Sequence, residues 1–425
     1  MHHEPDPGVV SRRTRQIVTG AACVLGVLTL VGLVTLWPDS VDRRAARRLG
    51  LAGDVFAAHV TTVTRAPCMG TTPEDGIPCQ RVRFRLDQGP NEGEARSQEF
   101  TRSASVPRFA AGDEVVLAFQ PGADPGFDYY FADRERRPEL LWLAVAFGVV
   151  VIVLGRWRGV AALVGLGASI AVVLVFVLPA LLNGESPVTI ATVGASAIAF
   201  IALYLAHGFR TMTSVALLGT LLALGVTIGL ATLFTELTQL SGFASEESFL
   251  VQIGTRNLDV QGLVLAGMVL GALGALDDVT VTQASAIWEL RAAEPSMPRR
   301  TLYRAGLRIG RDHVASTVNT LALAYVGASL PLLIIFVLAD QSLSTIANSE
   351  VIATEIIRTL VGSIGLVLAV PITTGLAARL APNDRPQSRS TRPRRMRSKG
   401  PPPVDEASSS SEVSLEDQFW KQDGS

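Results

Sequence analysis

"GMVLGALGALDDVTVTQASAIWEL", residues 267–290, runs from sequence apolar enough for lipid into two adjacent aspartates and keeps a helical rhythm throughout. Residues three and four apart share one helix face. Counting that way gives Gly267, Gly271, Gly274, Asp278, Thr282, Ser285 and Glu289, an unbroken ladder whose first half is glycine and whose second half is polar. Glycine lets a second helix approach closely in lipid, where packing drives association. The ladder therefore predicts a face turned toward protein, its glycines against another span and its acids lining a polar vestibule near Asp312 and Asn319.

The rest of the chain decides whether this helix lies in a membrane. Of 425 residues, 48% are hydrophobic and 18% charged, with a mean hydropathy of +0.35, a balance unusual for a soluble protein. A net charge of -1 offers no basic field for nucleic acid, so none is expected as a partner. A helix crosses a hydrocarbon core of roughly 30 Å with about 17 to 25 apolar residues. Eight stretches qualify: 17–37, 139–155, 159–182, 188–206, 212–235, 259–279, 315–338 and 355–380. The expected fold is a polytopic α-helical membrane protein with about eight spans.

Arginine sets the orientation. Arg12, Arg13 and Arg15 precede the first span, Arg156 and Arg158 follow the second, and Arg210 follows the fourth. Arg291, Arg299, Arg300, Arg304, Arg308 and Arg311 follow the sixth, and Arg392, Arg394, Arg395 and Arg397 follow the eighth. The alternate short loops carry acids and almost no base. Both termini are thus expected in the cytoplasm, which divides the chain into a cytoplasmic N-terminus (1–16), an anchor helix (17–37), an extracytoplasmic domain (38–138), a seven-helix domain (139–380) and a disordered cytoplasmic tail (381–425). Arg43, Arg44, Arg47 and Arg48 lie in the segment expected outside, but long segments cross largely regardless of charge.

Between residues 50 and 132 the period changes. "VFAAHVTTVT", "QRVRFRLD", "RSQEFTRS" and "DEVVLAFQ" are short, partly alternating and separated by Gly, Pro and acidic turns, which predicts a small β-rich, barrel-like domain. Cys68 and Cys79 flank one of those turns, and an oxidising compartment lets them pair. Two cysteines without histidines at ligand spacing make a poor metal site, so neither metal nor cofactor is expected.

Three readings of Asp277 and Asp278 stand side by side. The helix leaves the bilayer there and its acids are solvated; or they form a proton- or cation-linked site; or they pair with Arg308 or Arg311. An acid at mid-span costs about 2.5 to 3.5 kcal/mol on insertion scales, and so it faces a cavity or a partner. Asp312, Ser316 and Asn319 carry the same polar spacing into the seventh span, which Pro331 interrupts. The eighth has Gly362 and Gly365 as packing positions, then Pro371, Thr373 and Thr374.

At these blocks the sequence resembles the YibE/F family of bacterial multi-pass membrane proteins. "GALGALDDVTVTQASAIWEL", "GRDHVASTVNTLALAYVGASLPLL", "IIRTLVGSIGLVLAVPITT", "DYYFADRERRPELLWLA" and "AHGFRTMTSVALLGT" carry the likeness, which covers most of residues 50–380. Its matching positions include Asp277, Ser285, Glu289, Gly310, Arg311, Asp312, Asn319, Thr320, Gly327, Gly362, Gly365, Pro371 and Thr373. The resemblance implies a bacterial cell membrane and a multi-pass architecture, and little about activity. No P-loop, HExxH or GxSxG is present, so no enzyme is expected. Two functions remain for a chain embedded in the lipid bilayer: a transporter or permease for a small solute or ion, with Asp277, Asp278, Thr282, Ser285, Glu289, Arg311, Asp312 and Asn319 as its polar site; or a non-transporting scaffold whose β domain binds an envelope partner and whose tail binds a cytosolic one.

Overall fold

The computed structural model describes residues 11–38, 54–68, 78–101, 107–124, 126–243 and 259–382. Nearly all of the expected tail, the first ten residues and most of the loop between Cys68 and Cys79 lie outside the described residues. The helices are α1 (Arg12–Thr35), α2 (Arg137–Gly155), α3 (Trp157–Leu182), α4 (Pro187–His207), α5 (Thr211–Leu237), α6 (Val260–Ala293), α7 (Arg299–Ala328), α8 (Leu330–Leu338), α9 (Leu343–Asn348) and α10 (Glu350–Leu380). Seven are long and apolar enough to cross a membrane, and α7 with α8, bent by 60°, makes an eighth if the pair counts as one span.

Two edges differ from the hydropathy reading, each for a local reason. The sixth span was expected to end at residue 279, but α6 runs on to Ala293, because a helix keeps its internal hydrogen bonds wherever lipid stops. The seventh was expected to begin at 315; its helix begins at Arg299 and breaks at Ser329. Pro331 has no N–H for the turn before it, which accounts for the break. In α3 a π-turn over Val173–Val177 leads into Pro179 and absorbs the same defect without a sharp bend.

At the centre, α5, α6 and α10 pack on one another; α4 covers α6 on one side, and α7 lies across α6 and α10. The helices α1, α2 and α3 add outer layers. Only Arg156, at φ 52°, separates α2 from α3. That turn is so close that a Cβ on Gly159 would lie 2.3 Å from the Val151 carbonyl oxygen, so only glycine fits. α2 and α8 bury none of their residues and present leucines, valines and phenylalanines outward. Water does not support apolar faces of that extent; lipid does.

Residues 55–134 form an antiparallel sheet of five strands: β1 (Val55–Pro67), β2 (Pro78–Leu86), β3 (Ala95–Thr101), β4 (Glu114–Phe119) and β5 (Tyr129–Arg134), in the order β3-β2-β1-β4-β5. The sheet curls until its two edge strands approach, giving a partly open barrel with the strand order of the OB type. A bulge between Val60 and Thr62 provides part of the bend. Alternation turns Val82, Phe84 and Leu86 into the core, where Phe84, Phe100, Phe109 and Phe131 meet edge to face or tilted, apart from the stacked pair Phe84–Phe131. The fifth strand, "YYFADR", was not among the expected ones.

Side chains, not a backbone ladder, close the barrel. The Gln98 amide on β3 donates to the Tyr129 carbonyl (3.3 Å) and accepts from the Phe131 amide (2.8 Å) on β5. Arg96 donates through Nε and Nη2 to the two oxygens of Asp128, at 2.9 and 2.8 Å, with both side chains mostly buried. The Arg96 guanidinium holds the Asp128 carboxyl below the usual carboxylate range. Since the folded value is the lower one, the contribution is complete above the unfolded pKa and is lost only as pH falls through the folded value. At neutral pH, Arg96→Ala should therefore cost the barrel roughly 2 kcal/mol and raise amide exchange in β5 roughly thirtyfold. Unchanged exchange in β5 would show that Gln98 closes the barrel alone.

Cys68 and Cys79 form a disulfide with a Cα–Cα distance of 5.0 Å across a separation of 11 residues. Closing a loop of that length contributes roughly 3 kcal/mol on the chain-entropy model.

Candidate functional site

The three central helices meet along hydroxyl and amide groups, of which the sequence singled out Thr373 and Thr374 but not Thr213, Thr220, Thr227, Thr280 or Gln283. Thr213, Thr220 and Thr227 recur every seven residues on α5, and all are buried. The Thr220 and Thr280 hydroxyls are 2.6 Å apart, and the Thr374 hydroxyl donates to the Gln283 amide oxygen at 3.0 Å. Glycines make room for these groups. A Cβ on Gly219 would lie 2.3 Å from Thr373 Oγ1, one on Gly365 would lie 2.1 Å from Thr227 Oγ1, and one on Gly310 would lie 2.9 Å from the Gln283 amide oxygen. In an apolar span this seam is interhelical glue, worth about 0.6 to 2 kcal/mol for each hydrogen bond.

The glycine ladder does not meet the expectation made for it. Gly267 and Gly274 face open space, with nothing within 4 Å of where a Cβ would sit, and Gly271 meets only the Tyr325 hydroxyl, at 3.2 Å from where its Cβ would be. Gly267, Gly271, Gly274 and Asp278 are exposed on the side of α6 away from α4, α5 and α10, where Tyr325 and His313 of α7 approach Gly271 and Asp278. Of the five glycines expected at contacts, Gly365 is tightly packed and Gly362 is in ordinary contact with Leu321.

The two aspartates separate by environment. They lie about 100° apart around the helix. Asp278 points outward with 70% of its side chain exposed, its carboxylate 3.7 Å from His313 Nε2 on α7. Asp277 turns toward the bundle, and its Oδ1 is buried with no hydrogen-bond partner among the described residues. The His313 Nε2 is also buried without a hydrogen bond. Arg308 and Arg311 are exposed and form no ion pair with either aspartate among the described residues, so the arginine pairing is replaced by the histidine. Thr282 and Ser285 are half-buried, while Glu289, Asp312 and Asn319 are exposed. The structure thus brings Asp278 and His313 together, sets Asp277 beside Asp278 with a buried oxygen of its own, and leaves the other expected members on the periphery. His313 was legible only as a lone histidine inside "GRDHVAS".

Toward the other end of α6 lies a second polar group that the sequence reading missed. Arg358 pairs with Glu355 at 2.6 Å one turn away on α10, and its guanidinium lies 5.9 Å from the Tyr325 ring centroid on α7. The Glu350 carboxylate accepts from the Ser241 and Gly242 amides, both at 2.7 Å, tying the end of α5 to the start of α10. Among the described residues no three His, Cys, Asp or Glu side chains converge as metal ligands would.

A bundle of seven or eight long apolar helices joined to a small five-stranded barrel defines a polytopic membrane protein. Residues 143–383, more than half of the chain, match the family described as YibE/F-like protein, and the chain belongs to that family. No curated protein and no solved structure matches it.

Proposed function

We propose that this protein is a transporter or permease for a small solute or ion, with Asp277 as the group inside the bundle that takes up a proton or cation. The observation that carries this reading is the buried, unpartnered Oδ1 of Asp277. A carboxylate oxygen in a span with no donor is costly, and a site that binds and releases a positive charge is one of the few uses that offset that cost. Asp278, next to Asp277 in sequence and largely exposed, lies 3.7 Å from His313, and on this reading the two pass a proton on to Asp277. The bend between α7 and α8 supplies the discontinuous span typical of transporters. The reading assigns the chain no enzymatic step.

On this reading the chain lies in the bacterial cell membrane with both termini cytoplasmic and the barrel outside, supported by the arginines at alternate helix ends. Reporter fusions after residues 158, 245 and 345 should report cytoplasm, outside and outside respectively. A cytoplasmic signal at 245 would overturn the orientation. Cells lacking the protein should differ from wild type in the uptake or efflux of at least one solute or ion; no difference across an unbiased panel would count against transport. The second reading, a scaffold with an envelope partner, draws on Arg83 and Arg85 of the barrel face, exposed and without an acid partner among the described residues.

A further inference from the structure

The outward face of β2 carries three arginines in a row, Arg81, Arg83 and Arg85, all exposed, while Val82, Phe84 and Leu86 between them fill the core. Successive outward positions on a strand lie about 7 Å apart, so the row is a ruler of positive charge. The Arg81 guanidinium pairs with Glu99 on β3. Arg83 and Arg85 have no acid partner among the described residues; of the other acids at this face, Asp87 is bound to His59 at 2.7 Å, and Glu114 of β4 lies across β1, opposite His59. Across the ladder, Arg83 sits between Thr62 of β1 and Ser97 of β3, and Arg81 sits beside Thr64. Thr62, Thr64, Ser97 and Thr101 are exposed, so hydroxyls border Arg83 on both sides and Arg81 on one, while Arg85 lies between His59 and Ala95.

We propose that this face binds a linear polyol-phosphate chain, with Arg83 and Arg85 holding successive phosphodiesters and the threonine and serine hydroxyls meeting the linking groups. Four observations favour that occupant. The strand order is that of the OB type, whose ligands lie across strands two and three, and the row is on the second strand here. All the positive charge on these three strands is arginine, since residues 54–134 contain no lysine, and the guanidinium fork matches phosphate oxygens two at a time. An extended phosphodiester polymer repeats its charge at a comparable interval. Lastly, among the described residues the face holds no Phe, Tyr or Trp: Phe84, Phe100, Phe109 and Phe131 all belong to the core cluster, and the His59 ring is held by Asp87. Single-stranded nucleic acid needs such rings to stack its bases, and a lipid surface needs apolar side chains to enter it. A polyol-phosphate needs neither. The inference is independent of whether the bundle transports anything.

The test is binding of a synthetic poly(glycerol phosphate) oligomer to the full-length protein in detergent, titrated at two or more salt concentrations. Wild type should bind, and Arg83→Ala with Arg85→Ala should weaken binding at least tenfold. The same pair should reduce the salt slope by about 1.4, since each phosphate contact on a single chain contributes about 0.7. Arg300→Gln with Arg304→Gln, an equal charge change on exposed residues of α7, should leave binding unchanged. The arginines tested are exposed, so the barrel should stay folded, checked by unchanged amide exchange in β2. No binding by wild type, equal loss in the α7 pair, equal or tighter binding of single-stranded DNA, or binding to phosphatidylglycerol vesicles alone would each overturn the proposal.

Discussion

Replacing Gly365 with leucine should remove folded protein from the membrane, while the same change at Gly274 should leave the amount and the melting temperature close to wild type. The two glycines look alike in sequence, each inside a small-residue ladder of an apolar span. Their surroundings are opposite. A Cβ on Gly365 would fall 2.1 Å from Thr227 Oγ1, and one on Gly274 would meet nothing. The tight contact is also reciprocal: Gly365 of α10 receives Thr227 of α5, and Gly219 of α5 receives Thr373 of α10. Both steps are eight residues, as two antiparallel helices require, so the pair acts as a clasp at the centre of the bundle. Thr227 cannot retreat without loss, because its hydroxyl donates to the Ala223 carbonyl at 2.9 Å. Overpacking a close-packed site costs about 1 to 3 kcal/mol for added methylenes, and four new carbons against a fixed hydroxyl belong at or beyond the upper end. Gel filtration and thermal melting of detergent-solubilised protein give the readout. A Gly365→Leu variant that elutes and melts as wild type would show that the α5–α10 contact is looser than this.

The clasp also shows where the sequence is informative and where it is silent. Hydropathy located the spans because length and composition are one-dimensional properties, and the approximate boundaries of eight stretches survive in the helices. Helix ends were less legible: α6 continues past its apolar stretch and α7 starts well before its own. The strand periods of the barrel were readable where alternation is strict, as in "QRVRFRLD". They failed for β5, whose "YYFADR" has little alternation. The largest gap lies in which helix face points inward. In a soluble protein the apolar face is the buried one, but a span is apolar on every side and lipid rewards no choice between them. The glycine-aspartate ladder could thus be counted from sequence but not aimed. The heptad threonines of α5 carried a fainter cue, a polar group repeated every second turn in an otherwise apolar span, and they proved to be buried at the centre.

Of the two aspartates, Asp277 is the one with a buried oxygen in the bundle, and that difference yields the sharper expectation. Asp277→Asn should abolish flux while leaving folded protein at wild-type levels and at least as resistant to heat. The reasoning rests on what the substitution removes. The buried Oδ1 of Asp277 has no partner, so taking away its charge breaks no hydrogen bond and relieves a desolvation cost. An aspartate retained only for structure behaves otherwise, because removing one member of a buried pair costs several kcal/mol and lowers the amount of folded protein. Asp278→Asn should have a smaller effect. Its carboxylate is largely in the open and 3.7 Å from His313, so its loss slows proton delivery without removing the inner site. His313→Ala should resemble Asp278→Asn, and the double variant should be little worse than either, since both changes act on one step. The readout is flux in reconstituted vesicles under an imposed pH or cation gradient, with protein amount and melting temperature measured on the same preparations. Undiminished flux through Asp277→Asn would sink the proposed role of the inner carboxylate, and parallel loss of folded protein in that variant would return it to a structural one.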